Sequence, residues 1–154
     1  KYIISFTKTM ITVNPVYIDY VLDPITGGAD DESTIEIYGH YRPDEESDIK
    51  ELARDVLLPE FKKQKPILQV AVKNTLAYYL TYPKKVNFES IFNSLLLPIE
   101  TPSNARIFFQ WIWEVFFPGE SKEYIKNEIV KEDFDVNAPY YLLTGTDGYN
   151  TPLN

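Results

Sequence analysis

The stretch TIEIYGHYR, residues 34–42, decides how this chain reads. Ile35, Ile37, Gly39 and Tyr41 alternate with Glu36, Tyr38 and His40, a period of two that places the two sets on opposite faces of a β-strand. Toward the N-terminus the same period recurs. Tyr2, Ile4 and Phe6 alternate with Ile3, Ser5 and Thr7, and β-branched residues continue through Thr12 and Val13. Asn14-Pro15 is a turn signal, after which residues 16–22 read as another strand, with Val16, Ile18 and Tyr20 facing away from Tyr17, Asp19 and Val21. An acidic loop around Gly27-Gly28 joins it to residues 34–42. Three strands with one buried face predict an antiparallel β-meander over residues 1–42.

Beyond residue 42 the period lengthens. Pro43 and the acids Asp44, Glu45 and Glu46 suit a helix start, where the dipole favours negative charge, and Ile49, Leu52, Ala53, Val56 and Leu57 follow at helical spacing. Pro59 is expected to end or kink that helix. Pro66 can open the next, whose stripe of Leu68, Ala71, Val72, Leu76 and Tyr79 is widened by Ile67, Val70 and Leu80 until little polar surface remains, so a central position is expected. Asn87 is a good N-cap for a third helix, with Val86 placed to staple to Ile91, and Pro98 stops it.

Thr101-Pro102 offers a cap for the ring-rich run 105–117. That run also alternates well enough for a strand; its start signal favours a helix, ended by Pro118-Gly119. A short helix is expected over 121–129, a late strand over 140–144 and a polar tail over 146–154. The predicted fold is therefore α+β in a single domain, residues 1–154. An N-terminal antiparallel β-meander (1–42) packs against about four helices (44–129), followed by a short strand and polar tail (130–154).

Composition bounds the chemistry. The chain has 154 residues, no cysteine and one histidine, His40, which excludes disulfides, thiolate sites, cysteine nucleophiles and multi-histidine metal centres. The longest apolar run, 107–117, is interrupted by Gln110 and Glu114 and is too short for a bilayer, so no membrane association is expected. No secretory leader is legible in residues 1–13, and a cytoplasmic location is expected. The net charge of −8 opposes direct nucleic-acid binding and favours basic partners.

The charge is uneven. Residues 19–60 hold 13 acids and 3 bases, whereas residues 61–86 hold 6 lysines and no acid. Clustered like charge destabilises the compact state, so the acidic stretch 23–51 is the leading candidate for a docking face. Its expected partner-binding residues are Asp30, Asp31, Glu32, Asp44, Glu45, Glu46, Asp48 and Glu51. The bland reading, a solvated loop and helix start, carries about equal weight. Asp30-Asp31-Glu32 lacks the alternate-acid spacing and glycine of a calcium loop, and no metal site is expected.

His40 has no nucleophile or orienting carboxylate at a legible spacing and reads as structural or exposed. The rings Phe108, Phe109, Trp111, Trp113, Phe116 and Phe117 read first as core. Lys62, Lys63 and Lys65 are too few to mark a phosphate site, and no GxSxG, HExxH, GxGxxG or Walker pattern occurs.

These features point to a binding protein rather than an enzyme, with no catalytic residue and no cofactor. The narrowest version is a bacterial immunity protein or inhibitor that masks the basic surface of a toxin by electrostatic steering. Two other classes are a small enzyme using paired carboxylates, and a DNA mimic or phage-type regulator that competes for a DNA-handling protein.

Overall fold

In the computed structural model, which describes residues 9–146, two strands of four residues each form the only sheet of the described chain. Strand β1 (Met10–Val13) pairs with β2 (Ile129–Glu132), in parallel, with Met10 opposite Ile129 and Val13 opposite Glu132. The predicted antiparallel meander is therefore wrong: the molecule is mostly helical. Of the first predicted strand, residues 1–8 lie outside the described residues.

Residues 16–22 illustrate why. They form a 3₁₀-helix, Pro15–Val21, opened by Asn14, whose Oδ1 accepts from Val16 N at 3.1 Å, with Pro15 in the first turn. The turn signal is thus a helix cap followed by the residue best suited to a first helical position. The buried residues are Tyr17, Ile18, Val21, Leu22 and Ile25, a recurrence of three to four that the alternate-face reading overlooked.

Residues 34–42 are likewise helical at their start. Helix α1 (Glu32–Tyr38) is capped by Asp31, whose carboxylate accepts from Ser33 N at 3.0 Å and from the Ser33 and Thr34 hydroxyls at 2.7 and 2.9 Å. The local donors win over the β-branched pattern because Ile35 and Ile37 have no core to enter: they are 41% and 58% exposed.

The later helices follow the sequence more closely. Helix α2 (Glu46–Leu52) runs into a π-helical segment, Ala53–Leu57, and then α3 (Leu58–Lys62). Pro59 was expected to end or kink this element. Instead the chain widens just before it, with Leu58 N donating to Ala53 O, and remains helical to Lys62. Helix α4 (Pro66–Thr81) is central as expected, touching the Pro15–Val21 helix, β1 and the helices Ala105–Phe116 and Ala138–Thr144, with Leu68, Val72, Leu76 and Tyr79 buried. Asn87 caps α5 (Phe88–Ser94) through Oδ1, which accepts from Ser90 N at 3.0 Å.

The ring-rich run is helix α6 (Ala105–Phe116), with Phe108, Phe109, Ile112, Trp113 and Phe116 buried. Its cap is Asn104, accepting from Ile107 N at 3.2 Å, and not Thr101-Pro102. The rings pack with one another: Phe92 meets Phe108 edge-on at 5.3 Å, and Phe61 lies 4.9 Å from Phe116. Residues Lys122–Asn127 form a 3₁₀-helix. The expected late strand over 140–144 is instead part of helix α7 (Ala138–Thr144), ended by Gly145 in left-handed backbone at φ 68°. Of the expected tail, 147–154 lies outside the described residues.

Two polar links tie the ends of the chain to its centre. Asn14, itself buried, donates through Nδ2 to Asp135 O at 2.8 Å, and its N–H reaches the buried Thr75 hydroxyl of α4 at 3.4 Å. Tyr79 of α4 donates to Glu132 of β2 at 3.1 Å.

Candidate functional site

The eight acids expected to bind a partner fall into groups with different roles. Asp31 caps α1. Asp44 accepts from Ser103 N at 2.7 Å and the Ser103 hydroxyl at 2.6 Å, fastening the segment before α6 to the segment before α2. Asp48 accepts from Arg42 N at 2.9 Å and Arg42 Nε at 3.0 Å. Glu46 lies 3.7 Å from Lys50, which is closer to Glu114 at 3.1 Å. Asp30, Glu32, Glu45 and Glu51 are exposed. No hydrogen bond or ion pair among the described residues joins Asp30, Asp31 and Glu32 to the acids of 44–51.

Electrostatics agrees with this division. The donors around them, Ser33 and Thr34 for Asp31, Ser103 for Asp44 and Arg42 for Asp48, hold all three carboxyls below the usual range. These are carboxylates that the fold itself uses.

A different set of acids lines the concave surface. Three neighbouring hollows share lining residues there. The first, about 510 Å³, is bounded by Tyr20 and Asp23 on one side, Tyr38 from α1, and Asp55, Pro59 and Glu60 from the long helix. It shares Tyr20 and Asp23 with a second of about 390 Å³, which adds Asp19, Leu95, Val136 and Tyr140. The third, about 250 Å³, shares Val16, Asp19 and Val136 with the second and adds Ile91 and Phe134. These adjoining hollows, the trough, are lined by Asp19, Asp23, Asp55 and Glu60 and, among the described residues, by no lysine or arginine.

Asp19 is the unusual member. It projects from the middle of the Pro15–Val21 helix, half-buried, with no side-chain hydrogen bond or ion pair among the described residues. Burial pushes its carboxyl up to about 6, with no opposing donor. Asp19 and Asp23 also hold up the Tyr20 phenol, which is already raised by burial. Glu60 is partly answered by Lys63 at 2.8 Å. Asp55 belongs to the π-helical segment, and with Glu51 and Asp48 it raises the Tyr41 phenol, behind burial as the main cause. None of the eight acids expected to bind a partner, Asp30, Asp31, Glu32, Asp44, Glu45, Glu46, Asp48 and Glu51, lines these hollows.

A hollow of about 620 Å³ has the opposite lining, with Lys84, Lys85 and Arg106 and a single acid, Glu89. His40 is exposed, its ring 4.2 Å from that of Tyr41. The buried rings of α6 are core, as expected. Lys63 pairs with Glu60, Lys65 reaches the Leu143 carbonyl at 3.4 Å, and Lys62 is exposed.

An alternating reading of 16–22 hides Asp19, while Asp23 falls within the acidic stretch 23–51 without being singled out. The two stand on successive 3₁₀-helices, Pro15–Val21 and Asp23–Ile25. Phe134 and Val136 carried no pattern of their own.

Among the described residues no three or more acids or histidines are grouped to hold a metal ion, and no helix is long and apolar enough to cross a membrane. Compared with known proteins, the chain matches no family model, no curated protein and no solved structure.

Proposed function

We propose that the chain is a non-enzymatic binding domain that receives a basic protein partner in its carboxylate-lined trough. The lining carries this reading: four carboxylates and, among the described residues, no lysine or arginine, along adjoining hollows that share lining residues. Such a wall focuses negative potential, which raises the encounter rate with a positive surface and selects against negative ones. The net charge of −8 adds long-range attraction of the same sign. The narrowest form remains a cytoplasmic immunity protein that masks the basic active site of a toxin. Its support is the acidic trough together with the lack of a catalytic motif.

The test uses a short arginine-rich peptide and fluorescence anisotropy. Neutralising Asp23, Asp55 and Glu60 (to Asn, Asn and Gln) is expected to weaken binding about tenfold at low salt, and raising the salt does the same to the native chain. A control of equal charge change, Glu32→Gln with Glu36→Gln and Glu45→Gln, is expected to have a much smaller effect. Equal losses in both variants would reduce the trough to bulk charge and end the proposal. For the immunity form, the partner is the product of a neighbouring toxin gene, whose inhibition must fall in the trough variant.

A carboxylate-based enzyme is the second reading, favoured by Asp19 and Asp23 bordering one hollow with Tyr20. It demands turnover that Asp19→Asn abolishes, whereas the binding reading demands none.

A further inference from the structure

The acidic trough has an apolar wing, and we infer that it selects a partner segment in which a lysine or arginine is flanked by apolar side chains, the cation meeting Asp19 and the flanks meeting Phe134, Val136 and Tyr140. This rests on the binding reading above and specifies what enters the trough.

The wing is an unusual display of apolar surface. Phe134, Val136 and Tyr140 are 66%, 74% and 61% exposed, and all three border the hollows that hold Asp19. Exposed apolar side chains are common singly, but three around one concavity mark an interaction surface more often than chance exposure does.

Local bonding holds them there. Asp135 N donates to Asp133 Oδ1 at 3.1 Å and Asn137 N to Asp135 Oδ1 at 2.9 Å, so two successive Asx turns fix the loop. Asp133 N donates to Val13 O at 2.8 Å, extending the strand pairing, and Asn14 Nδ2 holds Asp135 O from the core side. A loop bonded at four points presents Phe134 and Val136 outward at low entropic cost to a binding partner.

Charge complementarity selects the occupant. Asp19 borders both the second and the third hollow, without a cationic neighbour among the described residues, and the other ionisable groups that line those hollows are Asp23, Tyr20 and Tyr140. A half-buried carboxylate in such company lacks a counter-charge, and a guanidinium or ammonium supplies one. The stem of lysine or arginine is itself apolar and packs against Val16, Leu95 and Val136 while its head reaches the carboxylate. A purely apolar segment would bury Asp19 unpaired, and a purely polar basic segment would leave the wing wet.

Two synthetic peptides separate the parts, one repeating Gly-Arg-Gly and one repeating Leu-Arg-Leu. The native chain is expected to bind the leucine peptide about tenfold more tightly, and Phe134→Ser with Val136→Ser to erase that advantage while leaving the glycine peptide unchanged. Asp19→Asn is expected to weaken both. The two serine replacements lie at exposed positions, and an unchanged melting temperature confirms an intact fold.

Equal affinity of the native chain for the two peptides, or an advantage that survives the serine replacements, overturns the inference while charge-dependent binding keeps the broader reading. Failure of both peptides to bind removes the broader reading too. A dimer in sedimentation that the serine replacements dissolve would give the wing to a second copy of this chain and overturn the inference in that direction.

Discussion

The carboxylates of Asp31, Asp44 and Asp48 and the carboxylate of Asp19 in the trough are chemically alike and do opposite things. Asp31, Asp44 and Asp48 each accept two or three hydrogen bonds from the chain and are held below their usual range by those donors. Asp19 accepts none and is pushed up to about 6 by burial. The first three support the fold, and Asp19 is supported by it. Density of acids along a sequence marks neither. A carboxylate that costs the fold something, and faces a hollow, is the better guide to a surface kept for another molecule.

The largest expected effect tests whether the trough depends on its hinge. Asn14→Ala removes the bond to Asp135 O and the cap at Val16 N, and leaves buried polar groups unanswered. It should cost about 2 kcal/mol in chemical denaturation and loosen the 133–137 loop, seen as faster amide exchange there. Unchanged exchange in that loop would mean the wing is held without Asn14.

A smaller effect sets the two groups against each other directly. Asp19→Asn should raise stability near neutral pH by about 1 kcal/mol, a figure already reduced because solvent still reaches the group. Asp44→Asn and Asp48→Asn should lower the melting temperature. If all three substitutions move stability in one direction, the contrast between the groups fails.

The pH dependence sharpens the same point. The folded pKa of Asp19 is raised, from 3.8 to about 6, so its favourable contribution is complete below the lower value and is lost as the pH rises through the higher. The lowered carboxyls of Asp31, Asp44 and Asp48 behave oppositely, contributing above their unfolded pKa and losing that contribution as acid protonates them. Denaturation curves of the native chain and of Asp19→Asn should therefore converge as the pH falls from about 7 toward about 4. Curves that stay parallel would place the Asp19 carboxyl in ordinary solvent.

The smallest effect is the control: Glu32→Gln with Glu36→Gln, on the exposed α1, should leave the melting temperature unchanged.

How much of this was legible follows from where each element draws its stability. Helices α4 and α5 were readable because their apolar spacing is helical and an opening proline or an Asn cap announces them, whereas α6, whose run also alternates, was read as a helix from a start signal, Thr101-Pro102, that is not its cap. The Pro15–Val21 and α1 segments were not, because seven residues hold too few repeats to separate a period of two from one of three to four. There the local donors of Asn14 and Asp31 decide the backbone. Helix α7 was hidden for the same reason. Strand β2 has half its residues in solvent and so little pattern to read. The trough could not be foreseen because Asp19 and Phe134 meet only once both ends of the chain are in place.

That last separation has a consequence for biosynthesis. The parallel pair β1–β2 closes a loop from residue 13 to residue 129, and the trough draws one wall from each side of that closure. Contacts so far apart in sequence form late and slowly. As the polypeptide emerges from the ribosome, α4 to α6 can begin to pack while β1 still lacks its neighbour and Asp19 faces open water. Under the proposed binding reading, competence to capture a partner arrives only when residues 129–140 have left the exit tunnel, and premature engagement of a truncated product is unproductive.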